Sequence, residues 1–575
     1  KVNRFMGQSY GLLVDLQRWM SGSLPQSKAS VGHFERRDLS CGRRGGYLAG
    51  MKMIGRLFVT LLLLAGCSPV LAEDYEMRLR KEVEHSPGKF RPVESREAWK
   101  PSETAVIVCD MWDLHHCKNA VVRANQLAPR MNALLKAARG RGSLIIHAPS
   151  SCMQFYEGHP ARKRAQSAPD SGNVPEGIEQ WLTWLDKREE QAGYPIDHSD
   201  GGEDDDPKEH AEWAEKLRKM GRNPRAPWTR QLGLLEIDGD RDAITDSGRE
   251  NWNLLEQHGI KNVILVGVHT NMCVLGRPFG LRQMAKNGKN VVLMRDLTDT
   301  MYNPAMPPKV SHFEGTDLIV NHVERYVCPT VSSDQILGGA PHRFPGDFRK
   351  HIVFLIGERE YDTKKTLPGF VSKHLTPSFR TTFVFADPEG AARNKFHGIE
   401  AVRDADLLFV SVRRRALPQA DLKLVRDHIQ EGKPVIGIRT ASHAFSLRGK
   451  PAPQGHAVWD EWAAEVIGGN YTGHHGNTLT TEVRSTEEGL HFLGDESPFH
   501  FQSGGSLYIN SPRRPGQNIL LFGKVAGIDR LEPLAWTFKR SDGGKTFYTS
   551  LGHVSDFEQE SFVRILRRAI TWCFE

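Results

Sequence analysis

Residues 262–274 read NVILVGVHTNMCV, and this stretch decides the fold of the first half of the chain. Its first seven residues form a nearly continuous apolar run, which is typical of a parallel strand buried on both faces. A tight glycine-containing turn follows, and Cys273 falls where the next helix should begin. Free helix N–H groups at such a place favour a thiolate and can bind a developing oxyanion, so Cys273 is a candidate nucleophile. A buried structural cysteine is the alternative interpretation.

Strands and helices alternate on both sides of this stretch. Apolar runs predict strands at 104–109, 143–148 and 290–296, and helical patterns lie at about 120–139 and 250–258. This alternation predicts βαβ units, and therefore a parallel sheet covered by helices on both faces.

A polar segment at about 165–230 interrupts the alternation. Its acidic run at 203–206 is interpreted as a solvated loop, and the regular ligand spacing of a known calcium loop is absent. An insertion of this size beside a parallel sheet can serve as a lid or as an oligomer contact.

The alternation restarts after a predicted linker at 336–349. New apolar runs at 351–357, 382–385, 406–411 and 433–438 predict further strands. The fold class is therefore α/β, with two successive parallel-sheet, three-layer αβα domains of the Rossmann-like or flavodoxin-like kind at 100–335 and 350–575.

The N-terminal part has a different character. Residues 1–50 are interpreted as a non-structural upstream extension, and 51–72 as a signal peptide, because basic residues precede a short apolar core and small residues follow. The core is too short for a permanent membrane span. Either a lipobox at Cys67 or an ordinary cleavage site at Ala72 fits, so we expect an exported bacterial protein that is periplasmic, secreted or lipid-anchored. Residues 73–99 are predicted to be a linker.

The net charge and its distribution along the chain limit the kinds of partner that we expect. The 575 residues carry a formal charge of +7, and much of the positive excess lies in the first 50 residues, so no nucleic-acid partner is expected. Membrane contact is expected only through the signal segment or a lipid. A small-molecule substrate, a carbohydrate and a second copy of the chain are the partners considered.

Two motifs in the first domain support a resemblance. Asp110 follows the strand at 104–109, and residues 267–274 follow a later strand; together they resemble the isochorismatase-like cysteine hydrolase superfamily over about 100–330. The resemblance implies that Asp110 takes the thiol proton while Cys273 attacks a carbonyl carbon, which gives C–N bond hydrolysis through a thioester. It also implies an oxyanion hole in the turn at His269, Thr270, Asn271 and Met272, and a cis peptide bond between Val268 and His269.

The same resemblance implies a lysine that completes the triad. Counting back without gaps from the helix that ends at 259–260 leads to the position beside Arg241. Arginine can lend positive charge there but cannot shuttle a proton.

Nicotinamidases of the superfamily also hold a metal near the nucleophile. The matching loops carry acidic and histidine side chains that can ligate a divalent metal, although no cofactor is required: Asp113, His115, His116, His147 and His159.

The second domain contains a strand–turn–helix pattern at 433–445, the form of a nucleophile elbow. Class I glutamine amidotransferases place cysteine where Arg439 stands, so glutaminase chemistry is not expected. With the matching stretches 468–475 and 547–553, the domain resembles the trehalose-utilisation, ThuA-like family. Side chains that can converge at the strand ends, on a sugar or a metal, or else cap turns, are Arg439, Thr440, His443, His474, His475 and His553.

Three functions follow from these observations. The leading hypothesis is an exported hydrolase that cleaves an amide bond through Cys273. The main alternative is a catalytically degenerate protein whose ThuA-like domain binds carbohydrate or a partner. A third hypothesis makes the second domain the enzyme, acting on oxidised sugars with histidine chemistry.

Overall fold

The computed structural model describes residues 73–86, 88–375, 378–387, 390, 392–476, 478–494 and 499–575. The predicted extension at 1–50 and the signal segment at 51–72, with Cys67, lie outside the described residues. Within the described ranges, no helix combines the length and the apolar character needed to cross a membrane.

The first sheet contains eight strands, which are β1 (Tyr75–Ser86), β2 (Lys89–Trp99), β3 (Thr104–Cys109), β4 (Leu144–Ala148), β5 (Ala243–Ile244), β6 (Asn262–Val268), β7 (Asn290–Asp299) and β8 (Thr330–Val331). Their order is β2-β1-β8-β7-β6-β3-β4-β5. Strands β3 to β8 pair in parallel, and β1 pairs antiparallel with both β2 and β8. The predicted parallel sheet is present.

Helices cover both faces of this sheet. The helices of this half are α1 (Lys118–Gly140), α2 (Pro160–Gln166), α3 (Lys187–Ala192), α4 (Pro207–Lys219), α5 (Gly248–Gln257), α6 (Leu281–Lys286), α7 (His312–Tyr326) and α8 (Asp334–Leu337), of which α3 and α4 belong to the polar segment. Alternate residues of β3 point to opposite faces, so Ile107 packs in a core with Leu254 of α5, whereas Val106 packs in another with Leu127 of α1. The domain therefore has the three layers that the apolar runs predict.

The predicted linker at 73–99 is wrong, because this segment forms the β1–β2 hairpin. Tyr75, Met77 and Leu79 alternate with charged residues along β1 and are buried in the core. Strand β1 joins the sheet through the pairing of Arg80 with Thr330. The period-two pattern of a half-buried strand was thus present in the sequence.

The second half begins a new set of strands, which are β9 (Lys350–Gly357), β10 (Phe379–Ala386), β11 (Phe396–His397), β12 (Leu407–Val412), β13 (Leu417–Pro418), β14 (Val435–Ile438), β15 (His456–Ala457), β16 (Gly469–His474), β17 (Thr481–Ser485), β18 (His500–Ser503), β19 (Tyr508–Arg513), β20 (Gln517–Val525), β21 (Glu532–Lys539) and β22 (Lys545–Thr549). Its longer helices are α9 (Thr363–His374), α10 (Gln419–Gln430), α11 (Glu487–Leu493) and α12 (Glu560–Phe574).

Ten of these strands form one mixed sheet, ordered β11-β10-β9-β12-β14-β22-β21-β20-β17-β18. The strands from β10 to β22 in this order are parallel, as predicted, and those from β21 to β18 are antiparallel. The turn at 540–544 that joins β21 to β22 is too short for a parallel crossover, which explains the change of direction. Two small antiparallel pairs, β13 with β15 and β16 with β19, complete the architecture.

Strand β2 brings Glu94 close to Glu400 of the second half. Burial, with a further contribution from the Glu400 charge and hydrogen bond, raises the pKa of Glu94 to about 7, from an ordinary value of 4.5. The protonated Glu94 therefore stabilises the fold fully below pH 4.5, and this contribution is lost as the pH rises through about 7.

We expect Glu94→Gln to remove this pH dependence. Between about pH 5 and pH 8, the free energy of unfolding of the unmodified protein should fall by on the order of 2 kcal/mol more than that of the variant. Urea denaturation at both pH values measures the difference. Identical pH dependence in the two proteins would show that the pair is not protonated in the folded state.

Candidate active site

Asp110 lies where strand β3 ends. Its backbone adopts a left-handed conformation, with φ of 49°, and its N–H donates to the Ala148 carbonyl across 3.1 Å. The carboxylate is fully buried, and its Oδ1 accepts the Ser150 backbone N–H at 2.8 Å. The carboxylate is thus fixed in place by the ends of β3 and β4.

Cys273 reaches the same place from strand β6. Cys109 pairs with Gly267 in the parallel register, so the carboxyl ends of β3 and β6 lie side by side. After β6 the chain turns at His269, whose φ is 65°, and residues 270–274 form a π-helical turn. Cys273 is 7% exposed, and both the Asp110 carboxylate and the Arg277 guanidinium lie close enough to shift the pKa of its thiol. The predicted acid and sulfur therefore share one site.

Arg277, and not Arg241, is the arginine that lies beside Asp110. Nε of Arg277 donates to Oδ2 of Asp110 at 3.0 Å. Arg241 is wrong as a site residue: its side chain is 61% exposed and pairs with Asp238 at 2.7 Å. The physical reason is that Arg241 precedes β5 and lies at the amino end of that edge strand, whereas the site is formed at carboxyl ends.

The electrostatics of the site favour a neutral thiol at rest. Burial raises the pKa of Cys273 well above its ordinary value, the Asp110 charge raises it further, and Arg277 opposes this rise. The thiolate expected from a helix N-terminus is therefore not the resting form. A neutral thiol needs a base before it can act as a nucleophile, and the Asp110 carboxylate is the nearby buried group whose charge acts on this sulfur.

Hydrogen bonds and packing fix the other residues of the turn, Thr270, Asn271 and Met272. Thr270 donates to the Asp299 carbonyl at 2.9 Å, and the Asn271 side chain bonds both the N–H and the carbonyl of Met301. Met272 is partly buried and packs against the main core and against a small cluster that contains Cys117 and Met301. Its N–H donates to the His269 carbonyl at 2.9 Å.

The predicted cis bond between Val268 and His269 is wrong, because the cis bonds among the described residues are Pro307–Pro308 and Ser511–Pro512. The turn relies on positive φ at His269 and on Gly267, whose φ is 123°. A side chain at Gly267 would place Cβ 2.0 Å from the Cys109 carbonyl oxygen. Close approach of β6 to β3 thus requires glycine at this position.

An aromatic cluster lies next to the nucleophile turn. The rings of Trp112 and Trp228 stack with centroids 4.4 Å apart, and the His269 ring lies 5.4 Å from Trp112 and 4.8 Å from His115. Burial lowers the pKa of His269 to about 4, so this ring is neutral near pH 7. The cluster is thus a largely buried set of uncharged rings that includes His269 of the nucleophile turn.

The segment at 165–230 packs on the site. Trp181 lies on Gly276, and the Arg277 guanidinium sits 5.6 Å from the Trp181 ring centroid. The Leu182 N–H donates to the Gly276 carbonyl at 2.9 Å. This segment therefore covers the turn that carries Cys273.

The middle of the acidic run at 203–206 is not solvated, which corrects the sequence interpretation: the side chains of Asp204 and Asp205 are buried, whereas Asp206 is exposed. Asp204 forms a buried ion pair with Arg123, at 2.7 Å, and Asp205 accepts the backbone N–H groups of Lys118 and Asn119 at the start of α1. Arg123 also pairs with Asp299 at 2.7 Å. These partners anchor the covering segment to the core.

The candidate metal ligands have separate partners. His147 is fully buried between Gln231 and Asp242, at 3.0 and 3.1 Å, and Asp113 bonds Arg222 and the Thr229 N–H. The remaining histidines are also engaged: the ring of His115 lies 3.9 Å from that of His116, which pairs with Glu203, and His159 caps α2.

Three potential ligand atoms that converge among the described residues belong to Cys117, Asp204 and Asp205. Both of these carboxylates already bind Arg123 or helix N–H groups.

The second domain retains an elbow without a nucleophile. Arg439 follows β14 with φ of 46°, and its buried guanidinium lies 4.0 Å from the ring centroid of Tyr361 and 4.9 Å from that of Tyr508. It donates to the Ser550 carbonyl at 2.7 Å. Arg439 therefore fills the elbow as a structural cation, and Thr440 beside it is fully buried.

The four histidines predicted for this domain divide into two groups. His443 and His474 both contact Tyr471, through a ring distance of 4.2 Å and a hydrogen bond of 2.8 Å. In contrast, His475 pairs with Glu532 at 3.3 Å, and His553 caps a short 3-10 helix. His443 and Tyr471 line a cavity, and His475 and His553 have structural partners.

Sequence reasoning missed Arg277 and Trp181. The signal for Arg277 was its spacing, since a residue four positions after Cys273 can return to the same side of a helical turn. Trp181 had no such signal, because its contact with Arg277 spans a long stretch of chain.

Comparison with known proteins identifies the second domain. Residues 386–573 match the family model described as ThuA, trehalose utilisation, and no curated protein matches the chain. A ThuA-like protein from Bacteroides uniformis is 13% identical, with coverage of 41% of this chain and 95% of its own and a TM-score of 0.30.

Similar solved structures also include proteins of the cysteine hydrolase and isochorismatase families. A cysteine hydrolase from Pseudomonas syringae is 14% identical and covers 41% of this chain and 92% of its own, with a TM-score of 0.25. An isochorismatase family protein from Burkholderia thailandensis is 14% identical and covers 41% and 94%, with a TM-score of 0.22. Identities and TM-scores this low say nothing about activity. The family assignment rests on the model match: residues 386–573 of this chain form a domain of the ThuA, or trehalose utilisation, family.

Proposed function

We propose that the first domain, which is built on the sheet β1 to β8, hydrolyses a C–N bond of an amide with Cys273 as nucleophile. One observation carries this proposal: the buried Cys273 thiol lies at the same pair of strand ends as Asp110, close to both the Asp110 carboxylate and the Arg277 guanidinium bonded to it at 3.0 Å. A nucleophile, a base and a cation within reach of one another are what acyl transfer needs.

In the proposed reaction, Asp110 accepts the Sγ proton as the sulfur attacks the amide carbonyl carbon. The negative charge moves to the carbonyl oxygen, where the Arg277 guanidinium stabilises it. The C–N bond then breaks, and Asp110 gives its proton to the leaving nitrogen. Water attacks the thioester and loses a proton to Asp110, the C–S bond breaks, and the carboxylic acid leaves as the sulfur regains its proton.

The surroundings favour a small, flat and uncharged acyl group. Trp112 and Trp228 present stacked rings, and His269 is neutral near pH 7. Aromatic rings of this kind bind aromatic or planar groups well, and they carry no charge of their own.

The proposal is tested by ammonia release from a panel of small aromatic and aliphatic primary amides. We expect release by the unmodified protein and none above background by Cys273→Ala, with aromatic amides turned over faster than aliphatic ones. If Cys273→Ala releases ammonia at the unmodified rate, Cys273 is not the nucleophile.

Arg277 provides a second test. We expect Arg277→Gln to slow amide hydrolysis by about 10²-fold, because the oxyanion loses its cation. Arg277→Lys restores the charge and should recover most of this loss. Arg241→Gln is the matched control, since that side chain pairs only with Asp238 at the surface, and equal losses in the Arg277→Gln and Arg241→Gln variants would contradict the role.

A second candidate function, non-catalytic binding of carbohydrate, is supported by the turn after β14, where Arg439 stands in place of a nucleophile. Arg439 replaces the amidotransferase thiol, and arginine in the triad cannot shuttle a proton, so the chain can act as a non-catalytic protein whose ThuA domain binds carbohydrate. Absence of ammonia release from every amide, together with sugar binding by the full chain, is the result expected of that function.

We also propose export, which is supported by the basic, apolar and small-residue pattern of residues 51–72. Mass spectrometry of the mature N-terminus in the native host tests it. Processing at Cys67 or after Ala72 is expected, and an unprocessed N-terminus would contradict export by this signal.

A further inference from the structure

The loop after β12 and the turn after β14 come together in the ThuA domain. The Arg414 N–H donates to the His443 carbonyl at 3.2 Å, and the next residue, Arg415, donates to the Ala444 carbonyl at 2.8 Å. Arg414 itself has φ of 48°. This pairing holds the Arg414 side chain beside His443, at the carboxyl ends of neighbouring parallel strands, where open α/β sheets bind ligands.

A cavity of about 540 Å³ opens beside this pairing. Its lining includes two arginines and several hydroxyl, amide and aromatic groups: Arg414, Ser442, His443, Arg448, Asn470 and Tyr471. The Arg414 guanidinium lies 5.8 Å from the Tyr471 ring centroid, and the His443 ring lies 4.2 Å from it.

The charges of this cavity are unbalanced. Among the described ranges, neither Arg414 nor Arg448 has a carboxylate within 4.0 Å, whereas the neighbouring Arg413 pairs with Glu360 at 2.9 Å. Asp460 is the acid in the lining, and it accepts the Ser446 hydroxyl at 2.6 Å. Nε of Arg414 is buried, and no atom of the described residues accepts its hydrogen.

The pKa values of Arg414 and His443 reflect the excess of positive charge in this cavity. Burial, then the charges of Arg448 and Arg413, lower the pKa of Arg414 to about 10. Burial and the same arginine cluster lower the pKa of His443 to about 2, so this ring stays neutral.

We propose that this cavity binds an acidic sugar, with Arg414 and Arg448 pairing to its carboxylate or phosphate group. Two arginines without counter-ions suit either anion, since a guanidinium donates paired hydrogen bonds to both. Tyr471 offers a half-buried ring against which a sugar ring packs, and Ser442, Asn470 and the neutral His443 offer partners for hydroxyl groups. The free Arg414 Nε donates to the bound anion.

Calorimetric titration of the full chain tests the proposal with glucuronate, glucose 6-phosphate, glucose and inorganic phosphate. We expect at least one acidic sugar to bind 10-fold or more tightly than glucose, and its affinity to fall as salt is added. The tighter of the two acids identifies a carboxylate or a phosphate as the recognised group. The proposal is overturned if glucose binds as tightly as glucuronate and glucose 6-phosphate, or if none of the four ligands binds. It is also overturned if inorganic phosphate binds as tightly as either acidic sugar.

The variants R448Q and R414Q/R448Q locate the site. Arg448 is exposed, so R448Q should fold normally, and we expect it to weaken binding of the acidic sugar about 10-fold, with a larger loss in the double variant. R484Q is the control, because Arg484 pairs with Glu482 outside this cavity. Unchanged affinity in R448Q places the sugar elsewhere, and circular dichroism checks the fold of each variant.

Discussion

Asp110→Asn should acylate Cys273 about 10³-fold more slowly than the unmodified protein. Burial and the Asp110 charge keep the thiol protonated at rest, so the sulfur depends on a base to lose its proton. Asparagine has the same shape and tolerates the left-handed backbone at this position, but it cannot accept the proton. The first-turnover burst of p-nitrophenolate from p-nitrophenyl acetate measures the acylation rate.

Asp362→Asn is the matched control. Asp362 has the same φ of 49°, but it lies at the start of α9, and its carboxylate pairs with Lys365. Its burst rate should equal that of the unmodified protein. If Asp110→Asn keeps the full burst rate, Asp110 is not the base, and the thiol must lose its proton to another group.

Gly267→Ala is expected to lower the free energy of unfolding by roughly 3–5 kcal/mol, from backbone strain and overpacking together. The new Cβ would lie 2.0 Å from the Cys109 carbonyl oxygen, and φ is 123°, where an L-residue is strained. The strands cannot separate cheaply, since β3 and β6 are central and buried on both faces. Chemical denaturation measures the loss.

Gly259→Ala separates crowding from backbone conformation. Gly259 precedes the same strand with φ of 61°, but a Cβ there would meet nothing within 4 Å. We expect it to cost about 1 kcal/mol, from the left-handed backbone alone. Equal losses in the two variants would mean that close contact between β3 and β6 does not set the requirement for glycine.

The sequence was sufficient to predict where the acid and the sulfur meet. Asp110 and Cys273 each follow an apolar run, and carboxyl ends of parallel strands share one edge of a sheet. The same logic predicted the elbow at Arg439, because strand, turn and helix signals are local. The ThuA resemblance is confirmed for residues 386–573.

Features that depend on distant partners could not be predicted. The run at 203–206 has the composition of a solvated loop. Its two middle side chains are buried because they bind Arg123 and the start of α1, which lie far away in the sequence. Counting back along the sequence without gaps led to Arg241 as the cation of the site. This choice was wrong because no local pattern shows which end of an edge strand a residue will occupy. The hairpin at 73–99 was missed although its alternation was visible, since dense charge was interpreted as a linker.

The most direct test of the account is to locate the acyl group by peptide mass spectrometry after acid quenching of the p-nitrophenyl acetate reaction. The account predicts an acetyl group on Cys273, absent from Cys273→Ser and strongly reduced in Asp110→Asn. An acetyl group confined to another cysteine, such as the neighbouring Cys109, or equal labelling of Cys273 with and without Asp110, would contradict the proposal that this acid and this sulfur form one catalytic site.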